Sequence, residues 1–191
     1  MSMAIAGYTL LEVITECTNT TVYRAYRDTD KTSVIIKTPK AERTSIEELT
    51  YLKHEYNILH DLKIVGFVQP LALESYQSGL AIIYADFPGI SLKRLLESRK
   101  KIGLISFLSI AIQLVSAVAQ LHQHNIIHKD IQPCNILVNP ETGQAIFIDL
   151  SLASRLPIEN QTIRHPELLE GNLAYISPEQ TGRMNRALDY R

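Results

Sequence analysis

The chain is poor in the residues and segments that would assign it to a specialised class of protein. It has no tryptophan and two cysteines, Cys17 and Cys134, which are too far apart in sequence to follow a metal-binding spacing. Two isolated cysteines argue against a disulfide framework and are typical of a reducing compartment, so we predict a cytoplasmic protein. Nineteen basic and twenty acidic side chains leave a net charge of −1. Without an excess of positive charge, we expect no nucleic-acid partner.

The sequence also lacks a recognisable secretory leader, internal repeats and low-complexity tracts. Its N-terminus, MSMAIAGYTLLEV, has neither the basic start nor the long apolar stretch of a signal peptide. The most apolar segment covers residues 104–121, where Ser or Gln recurs every three or four positions. This spacing predicts an amphipathic helix that packs on the core, and we expect no membrane insertion. The polar positions are Ser106, Ser109, Gln113, Ser116 and Gln120.

The first part of the chain is rich in predicted strands. With 46% hydrophobic and 20% charged residues, the 191 residues can form one core or two small lobes. The β-branched and apolar runs predict strands over residues 8–15, 21–27, 32–38, 67–75 and 79–84. A helix is predicted to begin after Ser45, which forms a capping-box pattern with Glu48.

Two charged residues in this region lie in apolar surroundings. Lys37 ends the strand VIIK, and Glu55 lies between Leu52 and Leu59 on the apolar stripe of the predicted helix. Charged side chains are seldom buried without a partner. We therefore predict an ion pair between Lys37 and Glu55.

The pattern changes at residues 85–89, ADFPG, where Pro and Gly interrupt the strand. A short helix is predicted from Leu92, then the long apolar helix, a polar loop, and a hairpin over residues 136–148. We predict an α+β fold with two lobes: a five-stranded antiparallel N-lobe with one helix, residues 1–85, and a partial helical C-lobe, residues 86–191.

The polar loop lies within IIHKDIQPCNILV, residues 126–138. Pro133 stiffens it, and it carries Asp130 and Asn135 between two apolar runs. An aspartate can accept a proton from a nucleophile, and an asparagine can help to hold a divalent cation. The returning strand of the hairpin should bring Asp149 close to Asn135. An Asx-rich turn without chemistry is the alternative that the loop alone leaves open.

Taken together, the motifs resemble the eukaryotic-type protein kinase domain. VIIK is similar to that family's VAIK, HKDIQPCN to HRDLKPxN, DLS at residues 149–151 to DFG, and SPE at residues 177–179 to APE. The run GNLAYISPEQTGRMNRALDYR is similar to the N-terminal kinase-like domain of large bacterial multidomain signalling proteins. This narrower resemblance implies covalently linked C-terminal signalling modules. The family's large C-terminal helices have no counterpart before Arg191, so we expect a partial C-lobe.

The resemblance implies a role for each motif residue. Lys37 would bind the phosphates of ATP and Glu55 would hold Lys37 in place, while Asn135 and Asp149 would ligate Mg²⁺. Asp130 would accept the proton of a Ser or Thr hydroxyl of a protein substrate. Gln132 takes the place of a catalytic-loop lysine. The remaining nucleotide contacts are expected at Thr15, Cys17, Thr20, Val22, Tyr84, Ala85 and Phe87.

The chain departs from the family pattern at several positions. Thr15, Cys17 and Thr20 replace the glycines of the phosphate-covering loop, which should therefore hold ATP less tightly. Gln132 replaces the lysine that contacts the γ-phosphate, and Asn172 replaces a threonine that supports it. Ser151 replaces the glycine of DFG, and Lys129 replaces an arginine.

These departures leave more than one function open. The first hypothesis is a serine/threonine protein kinase. The second is a nucleotide-binding pseudokinase that acts as a regulatory module. A small-molecule kinase of the aminoglycoside type is the third, which the SPE motif makes the least favoured.

Overall fold

In the computed structural model, a five-stranded antiparallel sheet and one helix form the first layer of the fold. The structure describes residues 5–40, 45–76, 79–98, 102–155, 172–181 and 187–190. The strands pair in the order β1-β2-β3-β5-β4, and helix α1 follows β3 in the chain. The elements are β1 (Tyr8–Glu16), β2 (Thr20–Arg27), β3 (Ser33–Pro39), α1 (Ile46–Asp61), β4 (Pro70–Tyr76) and β5 (Gly79–Ala85).

The central strands β3 and β5 are apolar on both faces because both faces are covered. Ile35 and Ile82 belong to the main core, which includes residues of α1. Val34, Ile36 and their neighbours on the opposite face form a smaller cluster that includes Ile5. Lys37 follows Ile35 by two residues, so the alternation of a strand directs its side chain towards the α1 side.

Helix α1 begins as its capping box predicts. The amide of Glu48 donates to Ser45 Oγ at 3.1 Å, and the amide of Ser45 donates to Glu48 Oε2 at 2.8 Å. The buried residues recur at helical spacing: Leu52, Glu55, Ile58 and Leu59. A charged residue therefore lies in the middle of the buried stripe.

The second part of the fold contains two helices and a small sheet. These elements are β6 (Ile90–Ser91), α2 (Leu92–Glu97), α3 (Leu104–Gln123), β7 (Ile136–Val138) and β8 (Ala145–Phe147). The three strands pair antiparallel in the order β6-β7-β8. Backbone hydrogen bonds from Val68 N to Phe147 O and from Phe147 N to Gly66 O join β8 to the segment before β4.

The predicted fold class is confirmed, with corrections at three strands. Strand β4 begins at Pro70 and not at residue 67, because Phe67 instead forms a parallel bridge with Phe147. The two-residue strand β6 was not predicted, since so short an element leaves no periodic pattern. The returning strand of the hairpin is shorter than expected. The division of the chain at residue 85 stays a prediction.

Helix α3 packs on the core less completely than predicted. Ile110, Ala117 and Leu121 are buried, but several large apolar side chains are exposed, among them Ile105 at 85%. Part of the polar stripe faces the protein: Gln113 donates to Gly143 O at 2.9 Å and accepts from Ala145 N at 3.0 Å. By length and composition α3 could cross a membrane, a test that core helices of soluble proteins also pass.

Candidate active site

The predicted ion pair between Lys37 and Glu55 is present, and a second carboxylate joins it. Lys37 Nζ lies 2.6 Å from Glu55 Oε2 and 2.5 Å from Asp149 Oδ2. Strand β3 supplies the lysine, α1 supplies the glutamate, and Asp149 follows β8 by two residues. All three side chains are buried. One ammonium group thus links the first sheet, its helix and the second part of the fold.

A tyrosine completes the partners of Glu55. The hydroxyl of Tyr84, on β5, donates to Glu55 Oε1 at 2.6 Å. Each oxygen of the Glu55 carboxylate therefore receives a separate donor, Tyr84 on one and Lys37 on the other. This fixes the orientation of the carboxylate, and with it the position of the lysine.

The cluster contains one basic and two acidic side chains, and their pKa values reflect this excess of acids. Burial would lower the pKa of Lys37, but the carboxylates of Asp149 and Glu55 raise it above its ordinary value. Burial disfavours the charged form of Asp149, yet Lys37 keeps its pKa below the usual value. Burial raises the pKa of Glu55 to about 7, against the opposing effect of Lys37. Glu55 is therefore the member that takes up a proton near neutral pH.

In the polar loop within residues 126–138, two amide side chains hydrogen-bond to Asp130. Gln132 Nε2 donates to both carboxylate oxygens of Asp130, at 2.9 and 2.8 Å. Asn135 Nδ2 donates to the backbone oxygen of Asp130 at 3.0 Å and to its Oδ2 at 2.6 Å. Burial, followed by the charge of Asp149, raises the pKa of Asp130. A carboxylate with a raised pKa is a better proton acceptor, as the expected role of Asp130 requires.

A strained backbone conformation in this loop is stabilised by hydrogen bonds from a later segment of the chain. Lys129 has a φ of 66°, in the left-handed region that non-glycine residues rarely adopt. Gln180 Nε2 donates to the Lys129 carbonyl at 2.7 Å, from the 3-10 turn Pro178–Thr181. Asn172 Nδ2 donates to Gln132 Oε1 at 2.9 Å. The segment around the SPE motif thus supports both ends of the Lys129-to-Gln132 stretch.

The turn between β1 and β2 covers the site without glycine. It closes through a hydrogen bond from Cys17 N to Thr20 O at 3.0 Å. The thiol of Cys17 donates to Asn135 Oδ1 at 3.3 Å, and the thiol of Cys134 reaches the same oxygen at 3.4 Å. The turn therefore touches the loop at the oxygen that was predicted to bind a metal ion.

Most of the predicted catalytic residues meet in one cavity of about 580 Å³. The cavity is lined by the predicted residues Cys17, Thr20, Lys37, Asp130, Gln132, Asn135 and Asp149. Glu55 is not in its lining and lies behind Lys37. The other predicted nucleotide contacts do not line this cavity: Thr15, Val22, Tyr84, Ala85 and Phe87. All of these except Ala85 are buried. Their contacts with a nucleotide stay predictions.

Three contributors were missed at the sequence level. Tyr84 was predicted as a nucleotide contact and not as the partner of Glu55, because a tyrosine in an apolar strand looks like core. Gln180 follows the SPE motif directly, which was the available signal. Arg24 Nη2 donates to Phe87 O and Gly89 O, each at 3.0 Å, and so joins β2 to the segment between β5 and β6.

Comparison with known proteins adds an independent finding. A family model described as protein kinase domain matches residues 8–189. The chain is 30% identical to Serine/threonine-protein kinase 36 of Pongo abelii over 174 residues, which is 90% of this chain and 13% of that protein. It is 36% identical to Serine/threonine-protein kinase PrkC of Bacillus subtilis over 99 residues, which is 52% of this chain and 15% of that protein.

A further relative extends the range of organisms. Serine/threonine-protein kinase fused of Drosophila melanogaster is 27% identical over 159 residues, covering 83% of this chain and 19% of that protein. The chain thus spans less than a fifth of the length of these three relatives. They are informative about the shared domain and not about the rest of each protein.

Proposed function

The chain belongs to the protein kinase domain family, and from this we propose that it transfers the γ-phosphate of ATP to a Ser or Thr hydroxyl of a protein. The observation that carries the proposal is the arrangement of the cavity. Lys37, Asp130 and Asp149 come from three separate parts of the chain and line the same space. An ammonium group for phosphates, a proton acceptor and a metal-binding carboxylate are the parts that phosphoryl transfer requires.

The side chains fit a magnesium nucleotide. Asn135 Oδ1 and the Asp149 carboxylate are hard oxygen donors, the type that Mg²⁺ takes from proteins in small number, with phosphate and water oxygens as the other ligands. Asn135 and Asp149 would therefore hold Mg²⁺, and Lys37 would bind the phosphates. Bound Mg²⁺ offsets the negative charge on the phosphates during transfer.

Asp130 would take up the substrate proton. Gln132 donates to both of its oxygens and Asn135 to Oδ2, and its raised pKa increases its affinity for a proton. Gln132 keeps the position of the family's lysine but carries no charge. We infer slower transfer than in a kinase with that lysine, because an amide cannot offset phosphate charge as an ammonium does.

The wider setting is also a proposal. We infer a protein substrate, since the relatives are named as protein kinases. C-terminal signalling modules in the same polypeptide and a cytoplasmic location are proposed on the sequence features described above.

Transfer of radiolabelled phosphate from ATP to Ser/Thr peptides and to the protein itself tests the proposal. The full chain should label substrate in Mg²⁺, and Asp130→Asn should abolish labelling while retaining Mg·ATP binding by calorimetry. Asp149→Asn should weaken that binding.

Two outcomes would contradict the proposal, the first at the role of Asp130 and the second at phosphoryl transfer itself. Labelling that survives Asp130→Asn would show that Asp130 is not the proton acceptor. Mg·ATP binding without any labelling, in the wild type and with its native neighbouring domains, would favour a pseudokinase.

A further inference from the structure

The two cysteines of the chain, 117 positions apart in sequence, meet at one atom. Cys17 Sγ lies 3.3 Å from Asn135 Oδ1, and Cys134 Sγ lies 3.4 Å from the same oxygen. Cys17 belongs to the turn that covers the cavity, and Cys134 belongs to the 3-10 turn Pro133–Asn135 of the catalytic loop. Both thiols are free in the structure.

From this geometry we propose that Cys17 and Cys134 are an oxidation site, whose disulfide closes the nucleotide cavity. Formation of the disulfide does not depend on the proposed function, whereas its expected effect, the loss of nucleotide binding, rests on that function. In a reducing compartment such a bond would form only transiently, as disulfides of cytoplasmic proteins generally do.

The cavities give an oxidant access to both sulfurs. Cys17 is half-buried and lines the cavity of about 580 Å³, where the phosphates are expected. Cys134 is buried, with 6% of its surface exposed, but lines a neighbouring cavity of about 500 Å³ together with Cys17. A peroxide is small enough to enter either space.

The chemistry is a two-electron oxidation by a peroxide. One thiolate attacks hydrogen peroxide, breaks its O–O bond and becomes a sulfenic acid, and hydroxide leaves. The second thiolate then attacks the sulfenic sulfur, the S–S bond forms, and the sulfenic oxygen leaves as hydroxide. The two thiol protons convert both hydroxides to water. Overall, two thiols and one peroxide give one disulfide and two waters.

The bond would tighten the turn onto the loop. A disulfide joins its sulfurs at about 2.05 Å, and these sulfurs are not bonded, so the two side chains, with the turn and the loop that carry them, must adjust as the bond forms. The same step removes both S–H donors from Asn135 Oδ1. Residues 17–20 form one wall of the main cavity, and Asp130, Gln132 and Asn135 form another. A covalent tie between these walls prevents the opening that a triphosphate needs to enter.

Peroxide treatment of the full chain tests the site directly. After brief exposure, free thiols are alkylated, the protein is digested, and the peptides are weighed. The expected product is a cross-linked pair of peptides containing Cys17 and Cys134, in monomeric protein, that dithiothreitol separates. Because the chain has two cysteines, any other disulfide is intermolecular. Alkylation of both thiols after peroxide, or cross-linking between chains alone, would overturn the proposal.

Calorimetry with Mg·ATP then tests the consequence. The number of binding sites per chain should fall in proportion to the disulfide fraction and recover with dithiothreitol. Cys17→Ser and Cys134→Ser are matched variants, and neither should show a loss that the reductant reverses. Full binding by disulfide-linked protein would overturn the closure, as would an equal loss in either serine variant. Absence of Mg·ATP binding in reduced protein would instead refute the proposed function, leaving the peptide result to decide the disulfide.

Discussion

Replacing Tyr84 with phenylalanine removes one hydroxyl from the buried ion-pair cluster and leaves the ring in place. The lost contact is the 2.6 Å hydrogen bond to Glu55 Oε1, between two side chains with almost no exposed surface. A hydrogen bond to a charged group contributes about 1.5–3 kcal/mol, and a neutral one contributes about 1 kcal/mol. With Glu55 ionised, Tyr84→Phe should therefore lower the free energy of unfolding by about 2 kcal/mol. For a chain of this length, that corresponds to a fall in Tm of about 4–8 °C.

The loss should depend on pH because Glu55 has a pKa of about 7. At about pH 5.5 the folded protein carries Glu55 as the neutral acid, so the lost hydrogen bond is a neutral one and costs about 1 kcal/mol. As pH rises through 7, Glu55 ionises and the cost increases to about 2 kcal/mol. Tyr84 also helps to keep the pKa of Glu55 from rising further, so the variant should ionise Glu55 at higher pH than the wild type.

Urea denaturation of both proteins at about pH 5.5 and about pH 8.5 measures the effect. Tyr8→Phe is the matched control, since Tyr8 donates to Glu74 Oε1 at 2.7 Å in the same sheet but only partly buried. Its loss should be smaller, about 0.5 kcal/mol, with no step near pH 7. A cost for Tyr84→Phe that equals the control, or that is the same at both pH values, would refute the reasoning about Glu55.

Three further changes test other parts of the site and fold. Gln132→Lys should raise the rate of phosphoryl transfer by up to about 10²-fold. The gain should be larger when Asn172→Thr is added, because the side chains of residues 132 and 172 are hydrogen-bonded. Equal rates for the variants and the wild type in a labelling assay would contradict this. The folded wild type retains a proton on Glu55 that the unfolded chain has lost, so its stability falls as pH rises through 7. In Glu55→Gln this fall should be absent. Between about pH 5 and about pH 8, the free energy of unfolding of the variant should therefore rise by about 3 kcal/mol relative to that of the wild type. Urea denaturation measures this difference, and parallel pH profiles of the two proteins would contradict it. Gly66→Ala should cost about 3 kcal/mol, since its φ is +94° and a Cβ would lie 2.5 Å from a side chain of α3. Gly143→Ala, at φ +71° with open space around it, should lose only the backbone part, and equal losses would exclude the steric argument.

Local rules predicted much of the fold because they depend on neighbouring residues. The capping box of Ser45 and Glu48 formed as expected, since its donors and acceptors lie within one helical turn. The Lys37–Glu55 pair was predictable for a different reason, namely that each charge interrupts an apolar stripe. Burial made a partner necessary, and each residue was the other's nearest candidate.

Contacts between distant segments were not predictable in the same way. The meeting of Cys17 and Cys134 depends on how far the β1–β2 turn closes over the loop, which no local pattern encodes. The inward direction of Gln113 depends on unpaired backbone groups of the β7–β8 hairpin, which it satisfies with both ends of its amide. An amphipathic pattern predicts that a polar stripe exists but does not reveal whether the stripe faces water or another backbone.

The position of Lys37 between two carboxylates has a consequence for metal binding. Its ammonium group lies 2.6 Å from Glu55 and 2.5 Å from Asp149, so one positive charge is shared between two buried acids. One oxygen of Asp149 binds the ammonium group of Lys37 and a metal ion more weakly together than it binds either alone, because the two positive charges repel each other. When Asp149 binds a metal ion in the absence of nucleotide, the ammonium group of Lys37 interacts mainly with Glu55, whose pKa should then fall because the lysine's charge is no longer divided. The proton that Glu55 holds near pH 7 would be released in that step. Mg²⁺ binding without nucleotide near neutral pH should therefore be coupled to proton release from the Lys37–Glu55–Tyr84 cluster.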